Sequence, residues 1–347
     1  SKTTLLSNRR TRRSYSSMRP TVMKMASIPT ELIGVTGKRY RSMDLLQERP
    51  QMGCVWTATC EKNKFVLKDI PRDILANFDE RIYPRLREHE SPLLRLPVDR
   101  ISDRRTLVYK FMTNDFLQLV RQSLSLQDRR RVLKAGIEAI ADLHSRDVVH
   151  LDVKPDNIMV DYKHEDQGIV LESVQLTDLE NAAHLPDGKC VKGMLAGNDN
   201  WRSPEAHFKG ELSKPSDVFS FGLVCLYAVT GGVICGPDED FQKHESQGAL
   251  PAMIRLQRQV SYFGDPDGLE GLMRHVGDEE INKQILSALW EERDEEHVPY
   301  KPFSEWPEAS DDAFRELIAG SMSLDPSKRL TAAQILRLPW LSAQVDQ

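Results

Sequence analysis

The chain has 347 residues, 40 % hydrophobic and 29 % charged, with 47 Lys and Arg against 52 Asp and Glu for a net charge of −5. That apolar content suffices for one large domain or two lobes, and the arithmetic excludes a collagen-like, disulfide-dense or wholly disordered chain. It also argues against a generally basic nucleic-acid binder. Five cysteines (Cys54, Cys60, Cys190, Cys225, Cys235) form no C-x-x-C pair and have no metal-like spacing to His. They argue against structural zinc and for a reducing intracellular, cytoplasmic setting.

Charge is uneven along the chain. Residues 1–30 carry Lys2, Arg9, Arg10, Arg12, Arg13, Arg19 and Lys24 and no acid. This stretch is expected to be a disordered basic tail, suited to an acidic partner, a nucleic acid or an anionic membrane. Its composition is also that of a transit peptide, which would direct the chain to an organelle, although no amphipathic helix can be drawn through it. The sequence opens on Ser1 rather than Met, so no start site is assigned.

Residues 31–112 read as strand-rich. Cys54–Cys60 and Phe65–Lys68 are β-prone runs separated by Glu61-Lys-Asn-Lys64, which predicts a hairpin. Residues 72–90 have a helical pattern that Pro84 must kink or shorten. Thr106–Phe111 predicts a further strand. Residues 113–343 are mostly helical, with Asp128 the expected cap of a helix bearing Val132, Leu133, Ile137, Ile140 and Leu143. Short strands follow at 148–149, 158–160, 169–171 and 174–176.

Val218 to Gly236 runs nineteen residues without a charge, long enough to span a bilayer. Ser220, Gly222, Thr230 and the Gly231-Gly232 pair interrupt it, and it lacks flanking Lys/Arg or an aromatic belt. A buried core helix is expected instead. Later helices are predicted at 218–229, 311–322 and 331–338, the last opening with the capping-box spacing Thr331…Gln334. The result is an α+β chain with a small β-rich lobe (31–112) and a larger helical lobe (113–343), joined near Lys110–Thr113.

Chemistry concentrates in His150-Leu-Asp-Val-Lys-Pro-Asp-Asn157, which places Asp152, Lys154 and Asn157 on a loop between two short strands. Asp178 follows another strand. An acid to orient a hydroxyl, a base for the moving phosphate, and an amide plus a second acid for Mg²⁺ are what phosphoryl transfer needs.

Over about residues 40–342 the sequence resembles the eukaryotic protein kinases. HLDVKPDN is similar to the catalytic-loop pattern H-R-D-x-K-x-x-N, Asp178-Leu-Glu180 stands where D-F-G does, and Ser203-Pro-Glu205 where A-P-E does. Asp217–Gly222 resembles the start of the family's central buried helix, and Asp325–Arg329 a late motif whose Arg would pair with Glu205. The resemblance implies a bilobal kinase fold, ATP and Mg²⁺ as cofactors, and a protein substrate. It makes Asp152 the catalytic base, with Lys154 neutralising the γ-phosphate and Asn157 and Asp178 holding the metal. Lys68 would hold the α- and β-phosphates, paired with Glu80 or, as the alternative, Glu88. Tyr109 would be the gatekeeper, Lys110, Phe111 and Met112 the hinge that receives adenine, and Gly53 and Val55 the end of the phosphate-covering loop.

Several positions depart from the pattern. Glu48 and Pro50 fall where the first two loop glycines belong, and Pro50 has no N–H to offer phosphate. Glu180 replaces the D-F-G glycine, which removes a hinge. Leu151 replaces the arginine that commonly receives an activation-segment phosphate, and Ser203 is the only hydroxyl side chain between Asp178 and Glu205. Lys154, two residues after Asp152, follows the Ser/Thr-kinase pattern, while Asn198 stands where such kinases usually carry Thr. The expected function is a Ser/Thr protein kinase that does not depend on activation-segment phosphorylation. The competing reading is a pseudokinase that binds nucleotide or scaffolds partners.

Overall fold

A computed structural model describes residues 28–122, 124–166 and 168–342. The basic arm expected over 1–30 lies, up to residue 27, outside the described residues. Strand β1 (Glu31–Ile33) and the hairpins formed by β2 (Arg39–Arg49), β3 (Gly53–Cys60) and β4 (Asn63–Asp69) open an antiparallel sheet. Strands β5 (Asp99–Ile101) and β6 (Thr106–Lys110) complete it in the order β1-β2-β3-β4-β6-β5. Its two-residue alternation sorts the side chains. Trp56, Ala58, Phe65, Leu67 and Val108 pack into one small core with Tyr40. The opposite face carries the cross-strand pairs Val55 with Lys68 and Val66 with Tyr109. Lys68 therefore projects from a stiff sheet toward the rest of the molecule.

Between β4 and β5 the chain forms α1 (Arg72–Asn77), a π-helical turn (Phe78–Ile82) and α2 (Tyr83–Glu88). Pro84 explains the interruption. It has no N–H for the Glu80 carbonyl and its ring crowds that group, so the turn widens and the Tyr83 N–H donates to Phe78 O. Phe78, Ile82 and Leu86 face the core, and Glu80 turns to solvent.

Past Lys110 the chain builds the second lobe. It begins with β7 (Asn114–Asp115), α3 (Phe116–Arg121), α4 (Leu126–Ser145), β8 (Val148–Val149), and the hairpin β9 (Ile158–Glu165) and β10 (Gly168–Leu176). Strand β7 pairs with β9, and β8 with β11 (Ala183–His184). The cap of α4 is Ser125, not Asp128: Ser125 Oγ accepts the Asp128 N–H at 3.1 Å and donates to the Asp128 carboxylate at 2.7 Å. Asp128 sits three residues in, where its N–H is the one the cap satisfies.

The short α5 (Pro204–His207) leads to α6 (Lys214–Thr230), whose residues from Ser216 to Ala228 are all buried. The uncharged run is thus central to the large lobe as far as Ala228, while the helix ends at Thr230 and Thr230–Gly232 are exposed; no helix among the described residues is long and apolar enough to cross a membrane. Around it stand α7 (Glu239–Ser246), α8 (Pro251–Phe263), α9 (Pro266–Val276), α10 (Glu280–Glu292), α11 (Asp312–Ser321), α12 (Ala332–Leu336) and α13 (Pro339–Ser342). The expected Thr331–Gln334 capping box opens α12. The bilobal α+β architecture is as the sequence implied.

Candidate active site

The loop after β8 is held from below by one carboxylate. Asp217, near the start of α6, accepts the backbone N–H groups of His150 and Leu151, both at 2.8 Å, and contacts His144 Nε2 at 2.9 Å. Leu151 adopts a left-handed conformation (φ 64°) that turns the loop into the cleft. His150 Nδ1 accepts the Asp152 N–H at 3.2 Å, which leaves the ring proton on Nε2 to donate to Thr177 O at 2.7 Å. The imidazole thus ties the loop to the strand that delivers Asp178.

Asp152 is oriented from three sides. Its Oδ1 accepts the Asn198 N–H at 2.9 Å, and its Oδ2 accepts Lys154 Nζ at 2.9 Å and Asn157 Nδ2 at 3.3 Å. Asn157 also donates to the Asp152 carbonyl at 2.8 Å. These bonds use the amide N–H groups of Asn157 and leave its Oδ1 for another partner.

Across the cleft, Lys68 Nζ donates to Asp178 Oδ1 and lies 3.3 Å from both oxygens of Glu180. Tyr109 Oη donates to Glu180 Oε1. Burial alone would lower the Lys68 pKa, but Glu180 and then Asp178 hold it above its ordinary value. Burial alone would raise Asp178, yet Lys68, with a smaller contribution from Lys154, keeps it below the usual carboxylate range. The two halves of the constellation therefore share one electrostatic neighbourhood. The expected Lys68–Glu80 pair is not formed: Glu80 is exposed, as is the alternative, Glu88. The π turn rotates these acids away, and Glu180 takes the place. The residue replacing the D-F-G glycine was its only sequence signal.

The remaining nucleotide-cleft candidates lie on the sheet and its exit. Gly53 (φ 93°) ends the turn between β2 and β3, and a Cβ there would meet Asp69 Cβ at 2.4 Å. Glu48, Pro50, Gln51 and Met52 are exposed, and Arg49 donates back to Asp69 O at 2.7 Å. Phe111 N donates to Lys64 O at 3.1 Å, and Met112 is buried. Arg95, unremarked in the sequence, donates to Lys110 O at 2.7 Å and stacks over Tyr109 at 5.2 Å. The Asn157 amide oxygen and the outer Asp178 oxygen are hard donors that suit Mg²⁺, which takes few protein oxygens and completes its shell with phosphate and water. Among the described residues no cluster of three or more His, Cys, Asp or Glu offers a fuller cage.

Residues 93–341 match the family model for the protein kinase domain. The chain belongs to the protein kinase family. It is 25 % identical over 255 residues to dual specificity tyrosine-phosphorylation-regulated kinase 3 of Macaca fascicularis, covering 70 % of this chain and 43 % of the relative. It is 25 % identical over 223 residues to calcium/calmodulin-dependent protein kinase type II of Caenorhabditis briggsae, covering 64 % and 32 %. The probable inactive leucine-rich repeat receptor kinase XIAO of Oryza sativa subsp. japonica is 34 % identical over 154 residues, or 41 % and 13 %. The chain spans less than half the length of these relatives.

In this kinase domain the activation segment is tied down by its backbone. Strand β11 pairs with β8, Leu185 N donates to Asp147 O at 2.7 Å, and Val191 exchanges hydrogen bonds with Leu212 at 3.0 and 2.7 Å. Farther on, Arg255 donates to Asn200 Oδ1 at 3.0 Å and Gln259 to Arg202 O at 2.9 Å, both from α8. Ser203 is buried against Ser216 Oγ at 2.7 Å. At the segment's foot Arg329 grips Glu205 through two bonds, 2.7 and 2.8 Å.

Proposed function

We propose that this kinase domain transfers the γ-phosphate of Mg-ATP to Ser/Thr hydroxyls of protein substrates, with residues 31–112 as the small lobe and 113–343 as the large one. The observation that carries the reading is the convergence of Lys68, Asp152, Lys154, Asn157 and Asp178 through the bonds Lys68–Asp178, Asp152–Lys154 and Asp152–Asn157 and the His150–Thr177 tie between them. Asp152 accepts the substrate hydroxyl's proton while its carboxylate is held by Asn198, Lys154 and Asn157. Lys154 stands 2.9 Å from that carboxylate and offsets charge on the moving phosphoryl group. Lys68 holds the α- and β-phosphates, and Gly53, Val55, Tyr109, Phe111 and Met112 frame the nucleotide. Asn157 and Asp178 hold Mg²⁺, which when bound screens the phosphate oxygens.

Activity does not require activation-segment phosphorylation: backbone pairing already orders the segment, Leu151 offers no cation, and Ser203 is buried. The free cysteines support a reducing, intracellular setting. The test is phosphate transfer to a generic basic protein by the purified chain. Asp152→Asn should lower it at least a hundredfold, and a phosphate on the segment that active protein requires would overturn phosphorylation independence.

A nucleotide-binding pseudokinase is the second reading, favoured by the ion-paired Lys68 and by Pro50 in the phosphate-covering turn. Thermal shift with ATP, with and without Mg²⁺, combined with absent transfer would select it.

A further inference from the structure

In protein kinases generally, the lysine on the third strand of the small-lobe sheet is set by a glutamate on the neighbouring helix, and moving that helix makes or breaks the pair. Here the segment from Arg72 to Glu88 carries four acids, and none is available. Asp73, Glu80 and Glu88 are exposed, and Asp79 is engaged by Arg100 at 2.6 Å.

Glu180, by contrast, is 2 % exposed, with both oxygens 3.3 Å from Lys68 Nζ and its carboxylate anchored by the Tyr109 hydroxyl. Its backbone is fixed as well. Leu179–Asn181 form a 3₁₀ turn closed by Ala182 N to Leu179 O at 3.2 Å, Leu179 is buried in the core, and Asn77 Nδ2 donates to Ala182 O at 3.2 Å.

We propose that Glu180 is the positioning residue for Lys68, so that the ion pair is carried by the segment following the metal-binding aspartate and not by the helix. The phosphate-holding lysine is then poised without an acid from α1 or α2, α1 contributing only the Asn77 bond to Ala182 O. The Tyr109 hydroxyl is part of the device, because it fixes the carboxylate that fixes the ammonium. The inference rests on the reading of Lys68 as the group that holds nucleotide phosphate.

The direct test needs no activity. Nucleotide-free protein is treated with acetic anhydride across a pH series, and acetylation of Lys68 is followed by mass spectrometry. Glu180→Gln should raise the Lys68 rate about tenfold and move its pH midpoint down, because a neutral amide no longer favours the ammonium. Glu80→Gln and Glu88→Gln should leave the profile as in wild type. Tyr109→Phe should shift it the same way by less, and it serves in place of Glu180→Gln should that variant lose its cooperative unfolding.

In transfer assays Glu180→Gln should raise KM for ATP and lower kcat, with kcat/KM falling about tenfold to a hundredfold, the range for a lost charge-assisted bond. An unchanged Lys68 profile in Glu180→Gln, or a profile that responds to Glu80→Gln, overturns the proposal. If wild type transfers no phosphate while Lys68 still answers to Glu180, the kinase reading fails and the pair stands.

Discussion

Arg329→Met is the sharpest probe of how the large lobe is held together. The guanidinium spends all five of its N–H groups: two on Glu205, and the others on Ser323 O at 2.8 Å, Pro215 O at 3.1 Å and Leu324 O at 3.4 Å. It also lies over the Phe219 ring, 4.8 Å from its centroid. The arginine and glutamate side chains are 0 % and 1 % exposed, so removing one strands the other without water. Breaking such a buried pair costs about 3–5 kcal/mol. With a denaturant slope of about 3 kcal/mol per molar, the urea midpoint should fall by roughly 1 M or more at pH 7. Burial by itself would raise the Glu205 pKa, but Arg329 pulls it below its ordinary 4.5. The pair's contribution is therefore present above that value and is lost as pH falls through the lower folded one. The gap between wild type and variant should narrow in acid. Replacing both partners, as Glu205→Leu with Arg329→Met, should recover part of the loss. A single-variant midpoint shift below about 0.3 M at pH 7, or a double variant as damaged as the two singles combined, would refute the assignment.

His207 has both ring nitrogens buried without a partner among the described residues, and burial, helped by Arg202 and Arg255, pushes it down to about 3. The unfolded chain takes up that proton first, so stability should drop as pH falls from 6.5 toward 3, and His207→Gln should flatten that slope in urea titrations. Gly53→Ala forces a Cβ to 2.4 Å from Asp69 Cβ at a φ of 93°, which should cost about 1–3 kcal/mol and weaken nucleotide binding, read by thermal shift. With a thiol reagent on native protein, exposed Cys190 should react promptly. Buried Cys225 and Cys235, the latter pushed up to about 12, should react only after unfolding.

What could be read from the sequence was local or contiguous. The spacing of Asp152, Lys154 and Asn157 needs no tertiary information, and Lys68 follows from a strand whose alternation is plain in Phe65–Lys68. The Lys68 partner was not legible, because it depends on the rotation of the segment 72–88, which a single missing N–H at Pro84 resets. The α4 cap was misplaced by three residues because Ser125 and Asp128 are two ends of one reciprocal bond. Helix α8 went unpredicted for a different reason. Helix α8 buries Arg255, Gln257, Arg258 and Gln259, so its inward face looks polar in the sequence. Only the acceptors it meets, such as Ile234 O and Arg202 O, make that burial tolerable.

The Asp217 carboxylate turns a surface loop into a deeply rooted one. Because it grips the amides of His150 and Leu151 from the buried first turn of the lobe's central helix, those two hydrogens are held by a group that does not move when the loop alone frays. Their deuterium uptake should run at the pace of whole-lobe unfolding, slower than loop amides commonly exchange. A loop anchored in this way loses its geometry only when the lobe itself comes apart.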